Sequence, residues 1–274
     1  MLNQNLLGTR SIGKNHLLEA LSAQALQDIV PHLELLQLQP GEIICDSGQK
    51  LTHAYFPTSA VVSLLHILED GASTEFGIVS NDGMLGMALI MGGHTMPHQA
   101  IVQSQGFAYR LPAGIFKHEF KRSHQMQELL LRYVQYLFIQ VAQMAGCNRR
   151  HSIEQRLARL LLMYLDRANS NELHMTHETI ATMLGVRREG VSQAAGKLRC
   201  RGAITYNRGR ISALDREILE ETACECYDMV NQEYQRLMPI TRKANVRQPM
   251  SYLGRARETT RQSVQFSRAD AIGC

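Results

Sequence analysis

Residues 175–214 read MTHETIATMLGVRREGVSQAAGKLRCRGAITYNRGRISAL, and this stretch decides the fold. Thr176 can cap a short helix that carries Ile180, Ala181 and Leu184 on one side, and Gly185 breaks it. A second helical pattern follows, with Val191, Ala195 and Leu198 at i, i+4 and i+7. Two strand-like runs, 204–206 and 210–212, flank Asn207-Arg208-Gly209. Helix, tight turn, helix and hairpin make a winged helix-turn-helix, a unit that lays its second helix in the major groove of duplex DNA.

That second helix carries side chains suited to the task. Arg188 and Ser192, and Glu189 and Gln193, are i, i+4 pairs that lie away from the Val191/Ala195/Leu198 side. Arginine matches the two acceptors of guanine, glutamate accepts from cytosine N4, and glutamine pairs with adenine. Arg187, Arg208 and Arg210 are placed for phosphates rather than bases. Gly190 costs about 1 kcal/mol against alanine in a helix. It either permits a close backbone approach to DNA or is simply tolerated.

Upstream, the character of the chain changes twice. Residues 17–35 read as helix, with Leu18, Leu21, Leu26 and Val30 as core positions. From 36 to 111, short apolar runs alternate with Gly41, Gly48, Pro57, Asp70-Gly71, Asn81-Asp82-Gly83, Gly92-Gly93 and Gly106. Short strands at that spacing predict an antiparallel sandwich or barrel, with a hairpin turning at Asp70-Gly71. A long helix is expected over 123–147, where Leu130, Val134, Leu137, Val141 and Met144 repeat at 4, 3, 4, 3. It is apolar on a second face too, through Leu131, Tyr133, Phe138 and Ile139. A helix with two apolar faces must be covered twice. One face is therefore expected against the β-domain, and the 130/134/137/141/144 seam against a second copy of the chain. A further amphipathic helix is read at 153–165, a polar loop at 166–172, and helix again at 215–238.

The bulk properties fit this division. The chain has 274 residues, 45% hydrophobic and 20% charged, as in a water-soluble globular protein of one to two domains. Its +4 net charge is uneven: residues 239–274 hold seven Lys/Arg against two acids, and the rest is close to neutral. That basic tail reads as a disordered extension able to add phosphate affinity. The N-terminal stretch lacks the apolar core of a secretory signal, and 129–146 is too often interrupted by polar residues to span a bilayer. No membrane association and a cytoplasmic location are expected. The six cysteines form no CxxC pair and are expected to be reduced.

The order of β-roll, long helix and winged unit resembles the CRP/FNR superfamily of bacterial transcription regulators over about residues 15–225. The strongest local match is GVRREGVSQ, 185–193: Arg188-Glu189 fits the family's recognition helix, and Gln193 stands where a second Arg is common. The resemblance implies an α+β fold. It would comprise a cyclic-nucleotide-binding-like roll (15–122), a dimerisation helix (123–147), a winged DNA-binding domain (151–225) and the tail (239–274). It implies a homodimer on palindromic promoter sites, with RNA polymerase as a further partner and an unidentified small-molecule effector left open. In relatives that bind cyclic nucleotides, a Gly-Glu…Arg-Ser/Thr-Ala cassette grips the ribose and phosphate. Here the matching stretch is 85–102, with Met87 at the Glu position and His98 or Gln99 at the Arg-Ser/Thr position. Methionine does not usefully accept a ribose hydroxyl and no fixed cation remains, so cyclic AMP is not expected to act.

No cofactor or metal is expected. The first 44 residues contain no cysteine, against the thiolate set of an iron–sulfur sensor. Haem stays formally open through His53, His66, His94, His98, His118 and His124, although scattered histidines ordinarily pack or face solvent. Cys224 and Cys226, taken as i, i+2 on one helix, would diverge by about 200° and chelate poorly. Cys147 could meet the Cys147 of a second copy in a redox contact. The sequence contains no GxSxG, P-loop, HExxH or GxGxxG, so an enzyme is not expected. The competing class is a ligand-binding or interaction module whose helix-turn-helix no longer reads DNA.

Overall fold

The computed structural model describes residues 12–168 and 170–238. Turn residues cut the first half into seven strands: β1 (Glu34–Leu38), β2 (Ile43–Cys45), β3 (His53–Pro57), β4 (Val61–Ile67), β5 (Ser73–Val79), β6 (Gln99–Ser104) and β7 (Gly106–Pro112). They form two antiparallel sheets, ordered β1-β7-β3 and β2-β6-β4-β5. Alternating inward residues, among them Leu38, Phe56, Val62, Val79, Val102 and Leu111, fill the space between them. The β4–β5 hairpin turns at Asp70-Gly71 as expected: Gly71 takes φ +83° and Asp70 accepts from the Ala72 amide. Gly106 has no room for a side chain, since a Cβ there would lie 2.3 Å from the Ala60 nitrogen.

The expected first helix is instead two short ones, α1 (His16–Glu19) and α2 (Ala23–Ile29), followed by a single 3-10 turn around Pro31. Asn15 separates α1 from what precedes it. Its carboxamide caps α1 and donates to the carbonyls of Pro57 and Gly83, so the helix is pinned to the roll. Of the expected core positions Leu18 is fully buried, whereas Leu21, Leu26 and Val30 are partly buried.

After α3 (Ala113–Arg122), Ser123 caps α4 (His124–Arg150), which runs three residues beyond its expected end. Its buried side chains Met126, Leu130, Tyr133, Gln140, Met144 and Cys147 lie along a single 4/3 seam that faces the chain's own interior. This corrects the expected dimer seam at Leu130 and Met144 alone. Leu130 and Met144 are buried in the same chain, and Val134 and Leu137 are half-buried, leaving only Val141 of the five exposed. The apolar residues that do reach solvent are Leu131, Phe138 and Val141, with Phe138 73% exposed.

The roll covers the inner seam together with the last described helix. The segment expected as one helix over 215–238 is broken into α8 (Arg216–Thr222) and α9 (Cys226–Leu237). Ala223 turns extended between them, at φ −62° and ψ 152°. The break lets α9 fold back on α4, where Val230, Tyr234 and Leu237 join the roll's core. Tyr234 packs edge-on to Tyr136 at 5.0 Å and bonds the His16 ring. Two further expectations fail for the same reason. Cys224 precedes α9 and Cys226 opens it, so they do not share a helix; and Cys147 lies 3.5 Å from Cys224 of its own chain, buried from any second copy. The segment 239–274, expected to be a disordered basic tail, lies outside the described residues.

The second core forms around α5 (Ile153–Leu165), whose N-terminus Ser152 and Gln155 close with a reciprocal capping box. Its inward residues Leu157, Leu160, Leu161 and Tyr164 pack with the winged unit, and Val61 and Ile78 of the roll join the same core. Buried polar contacts cross from roll to α5 as well. Glu75 of β5 accepts from Ser63 at 2.6 Å and from Tyr164 at 2.7 Å. Arg167, just past α5, pairs with Asp82 at 2.5 Å. Burial pushes Glu75 up to about 7, against those two hydrogen bonds and the charges of Arg159 and Arg167.

Candidate nucleic-acid interface

Thr176 caps α6 (His177–Leu184) by accepting from the Thr179 amide, and Gly185 ends it at φ +60°, the left-handed stop that glycine supplies. The turn then delivers α7 (Arg188–Cys200), whose inner face is Val191, Ala194, Ala195 and Leu198. A three-stranded antiparallel wing closes the unit: β8 (Glu172–His174), β10 (Arg210–Ala213) and β9 (Ile204–Asn207), in that spatial order. β8 falls partly in the segment expected to be loop. Arg208 and Gly209 both take positive φ at the β9–β10 turn, as a two-residue hairpin requires.

With the inner face committed, the outer face of α7 is fixed by geometry. Arg188, Glu189, Ser192 and Gln193 are all exposed on it, and Arg187 is exposed at its N-terminal boundary. Ser192 is not free to rotate, because its hydroxyl meets His177 Nδ1 at 2.9 Å. That imidazole stacks on Tyr206 of the wing at 4.1 Å. Burial and the Arg188 charge both lower the His177 pKa, so the ring is neutral near pH 7. His177 and Tyr206 therefore tie both α6 and the wing to the outer face of α7. The sequence offered no signal for this beyond an aromatic in the wing strand.

The remaining arginines divide. Arg210 is already paired with Glu172 at 2.5 Å. Arg208, at the wing tip, is exposed and lines an open cleft of about 630 Å³ whose other wall is Pro40, Gly41 and Ile101–Gln103 of the roll. A Cβ at Gly190 would lie 2.8 Å from Ile153 Cδ1, so a larger residue there would have to push the end of that side chain aside.

In the roll, the stretch that would hold a cyclic nucleotide is built differently. Gly86 takes φ +99° and starts a 3-10 turn in which Met87, Ala88 and Leu89 are all buried. Met87 thus points into the core. His98 is half-buried edge-on against Phe76 at 4.8 Å, and burial, then the neighbouring His66, lower its pKa. Gln99 donates to Asp46 at 3.0 Å.

Two family models match the chain: one described as Crp-like helix-turn-helix domain over residues 155–222, and one described as cyclic nucleotide-binding domain over residues 35–123. The chain belongs to the CRP/FNR family of transcription regulators.

Solved CRP/FNR structures share the architecture. A family regulator from Eubacterium rectale is 22% identical, with a TM-score of 0.63, over 77% of this chain and 98% of that one. FixK2 from Bradyrhizobium japonicum is 16% identical, with a TM-score of 0.61, over 70% and 98%. A CRP/FNR regulator from Thermus thermophilus is 21% identical, with a TM-score of 0.58, over 69% and 98%. At these identities the likeness establishes the fold. Comparison with curated proteins returns no match. The matched families are of regulators, not enzymes. Among the described residues no helix is long and apolar enough to cross a membrane.

Proposed function

We propose that this CRP/FNR-family chain binds palindromic promoter DNA as a homodimer in the cytoplasm and acts by contacting or blocking RNA polymerase. The observation that carries the reading is the outer face of α7, where Arg188, Glu189, Ser192 and Gln193 project together and no core packing employs them. Arg188 reads guanine, Glu189 accepts from cytosine and Gln193 selects adenine, while Arg187, Arg208 and Arg210 meet phosphates. Arg210 exchanges Glu172 for phosphate on binding.

The dimer contact runs along the exposed side chains Leu131, Phe138 and Val141 of α4, with half-buried Val134 beside them, offset from the seam that α9 and the roll cover. A phenylalanine 73% exposed on a long helix is the kind of apolar side chain that a second copy buries. Cyclic AMP is not the effector: Met87 lies in the core, and Gln99 is engaged by Asp46. The roll takes another small molecule or none.

In vitro selection of random duplex DNA by the purified chain, without added ligand at near-physiological salt, tests this. A two-fold palindrome with half-site centres about one helical turn apart, adenine at the Gln193 position, is expected. Salt-sensitive binding without a motif would refute ligand-independent specific recognition and favour a module that has lost DNA reading.

A further inference from the structure

Four groups with metal-ligating chemistry converge at the hinge between α4 and α5. Cys147 is on the last turn of α4, and His151 is the extended residue that ends it. Cys224 lies in the break between α8 and α9, and Cys226 opens α9. Their ligand atoms all lie within 4.8 Å of one another. Cys147 Sγ is 3.5 Å from Cys224 Sγ, and Cys226 Sγ is 3.5 Å from His151 Nδ1. A tetrahedral ion with sulfur at about 2.3 Å and nitrogen at about 2.0 Å has edges of roughly 3.8 Å and 3.5 Å. The two contacts at 3.5 Å are close to those edges, and all four ligand atoms lie within 4.8 Å of one another, near enough to close on a single ion. An iron–sulfur cluster interposes several atoms between its thiolates and needs them farther apart.

The surroundings match a ligand shell rather than a thiol packing cluster. The three cysteines are buried together, apart from both hydrophobic cores. His151 presents Nδ1 to the cluster, and its Nε2 lies 3.2 Å from Glu225, the carboxylate–imidazole pairing that orients metal-bound histidines. Gln143 donates to Cys226 Sγ at 3.1 Å.

Arg159 is 3% exposed, and among the described residues its guanidinium hydrogen-bonds the thioether sulfurs of Met144 and Met163 while its Nε has no partner. Buried Arg156 also leaves its Nε unpartnered. Buried cations of this kind call for a nearby anion. Three thiolates around a divalent ion carry a net charge of about −1, which supplies it.

We propose that Cys147, His151, Cys224 and Cys226 hold one zinc-type divalent cation in a closed Cys3His site. The ion joins the end of α4 to the start of α9 and spans the hinge from which α5 and the winged unit depart. It would thereby fix the direction in which the DNA-binding unit leaves the long helix.

The test uses the full chain, purified under reducing conditions, stripped with chelator and titrated with Co2+. One cobalt per chain is expected, with the visible bands of tetrahedral coordination and a thiolate-to-metal charge-transfer band, both displaced by Zn2+. Cys224→Ser should abolish the charge-transfer pattern of three thiolates, whereas exposed Cys200→Ser should leave it unchanged. Glu225→Gln, at the half-exposed carboxylate, should weaken Co2+ binding by roughly 10- to 100-fold. A folded wild-type chain that gives no tetrahedral cobalt spectrum overturns the proposal. So does isolation of a Cys147–Cys224 disulfide that persists in the presence of Zn2+ and reductant. If Cys224→Ser fails to fold, the wild-type spectrum and Glu225→Gln decide by themselves.

Discussion

Replacing Glu75 by Gln should remove a specific pH dependence of stability. The Glu75 carboxyl is 1% exposed and receives two hydroxyl hydrogen bonds at one oxygen, while the other oxygen has no partner. Burial wins over those bonds and lifts it from 4.5 to about 7. The folded chain therefore holds this proton more tightly than the unfolded chain does. Its contribution is fully present below about 4.5 and is lost as pH rises through about 7. At 1.36 kcal/mol per unit the full loss is about 3 kcal/mol, most of it between pH 5 and 8. For a chain of this size that corresponds to a fall of roughly 6 to 12 °C in Tm. The glutamine keeps the size and can accept from Ser63 and Tyr164, but it cannot ionise. Thermal unfolding of both chains across pH 5 to 8 isolates the effect, since every other titrating group is shared. The wild type should fall further than Glu75→Gln by that amount, and the variant should be the more stable at pH 8. Parallel curves would refute the account of Glu75 as a carboxyl held neutral by burial between the roll and α5.

Three further outcomes follow from the DNA and dimer faces. Arg188→Ala should weaken binding to the selected site by about 1–3 kcal/mol and relax preference at one base pair, measured by fluorescence anisotropy on matched and mismatched duplexes. Gln193→Arg should move the preference at its position from adenine to guanine in a repeated selection, with little change in Tm, because the side chain is exposed. Phe138→Glu should convert the proposed dimer to monomer in analytical ultracentrifugation while leaving the circular dichroism spectrum intact; an unchanged sedimentation coefficient would remove α4's outer stripe as the contact.

The winged unit and the roll were legible because their punctuation is local. Thr176, Gly185 and Arg208-Gly209 each fix a cap or turn within four residues, and Asp70-Gly71 does the same for the β4–β5 hairpin. The seam of α4 was misread because Tyr133 was placed on the second face, and two further inward positions, Gln140 and Cys147, are residues that hydrophobic periodicity discounts. Tyr133 is inside because its hydroxyl bonds both backbone groups of Met84, and Gln140 because Tyr136 and the Ile78 amide engage its carboxamide. Both are tertiary reasons. The reverse packing of α9 left no local trace either, apart from the turn at Ala223. The cysteine–histidine cluster was hidden for a similar cause: its two halves are separated by more than 70 residues, and only the broken helix brings them together.

The return of α9 onto α4 also sets an order of events while the chain is being made. Tyr136, Met144 and Cys147 emerge from the ribosome well before Val230 and Tyr234, and at 5–20 residues per second the wait is roughly 5 to 20 s. Throughout that interval Tyr136 and Cys147 lack their Tyr234 and Cys224 neighbours, while Tyr133 and Gln140 can already bond Met84 and Ile78 of the roll. When the last helix arrives the inner seam is complete, and the stripe around Phe138 remains as exposed apolar surface. Chains interrupted before residue 226 should therefore leave part of the α4 seam uncovered and aggregate more readily than the full chain.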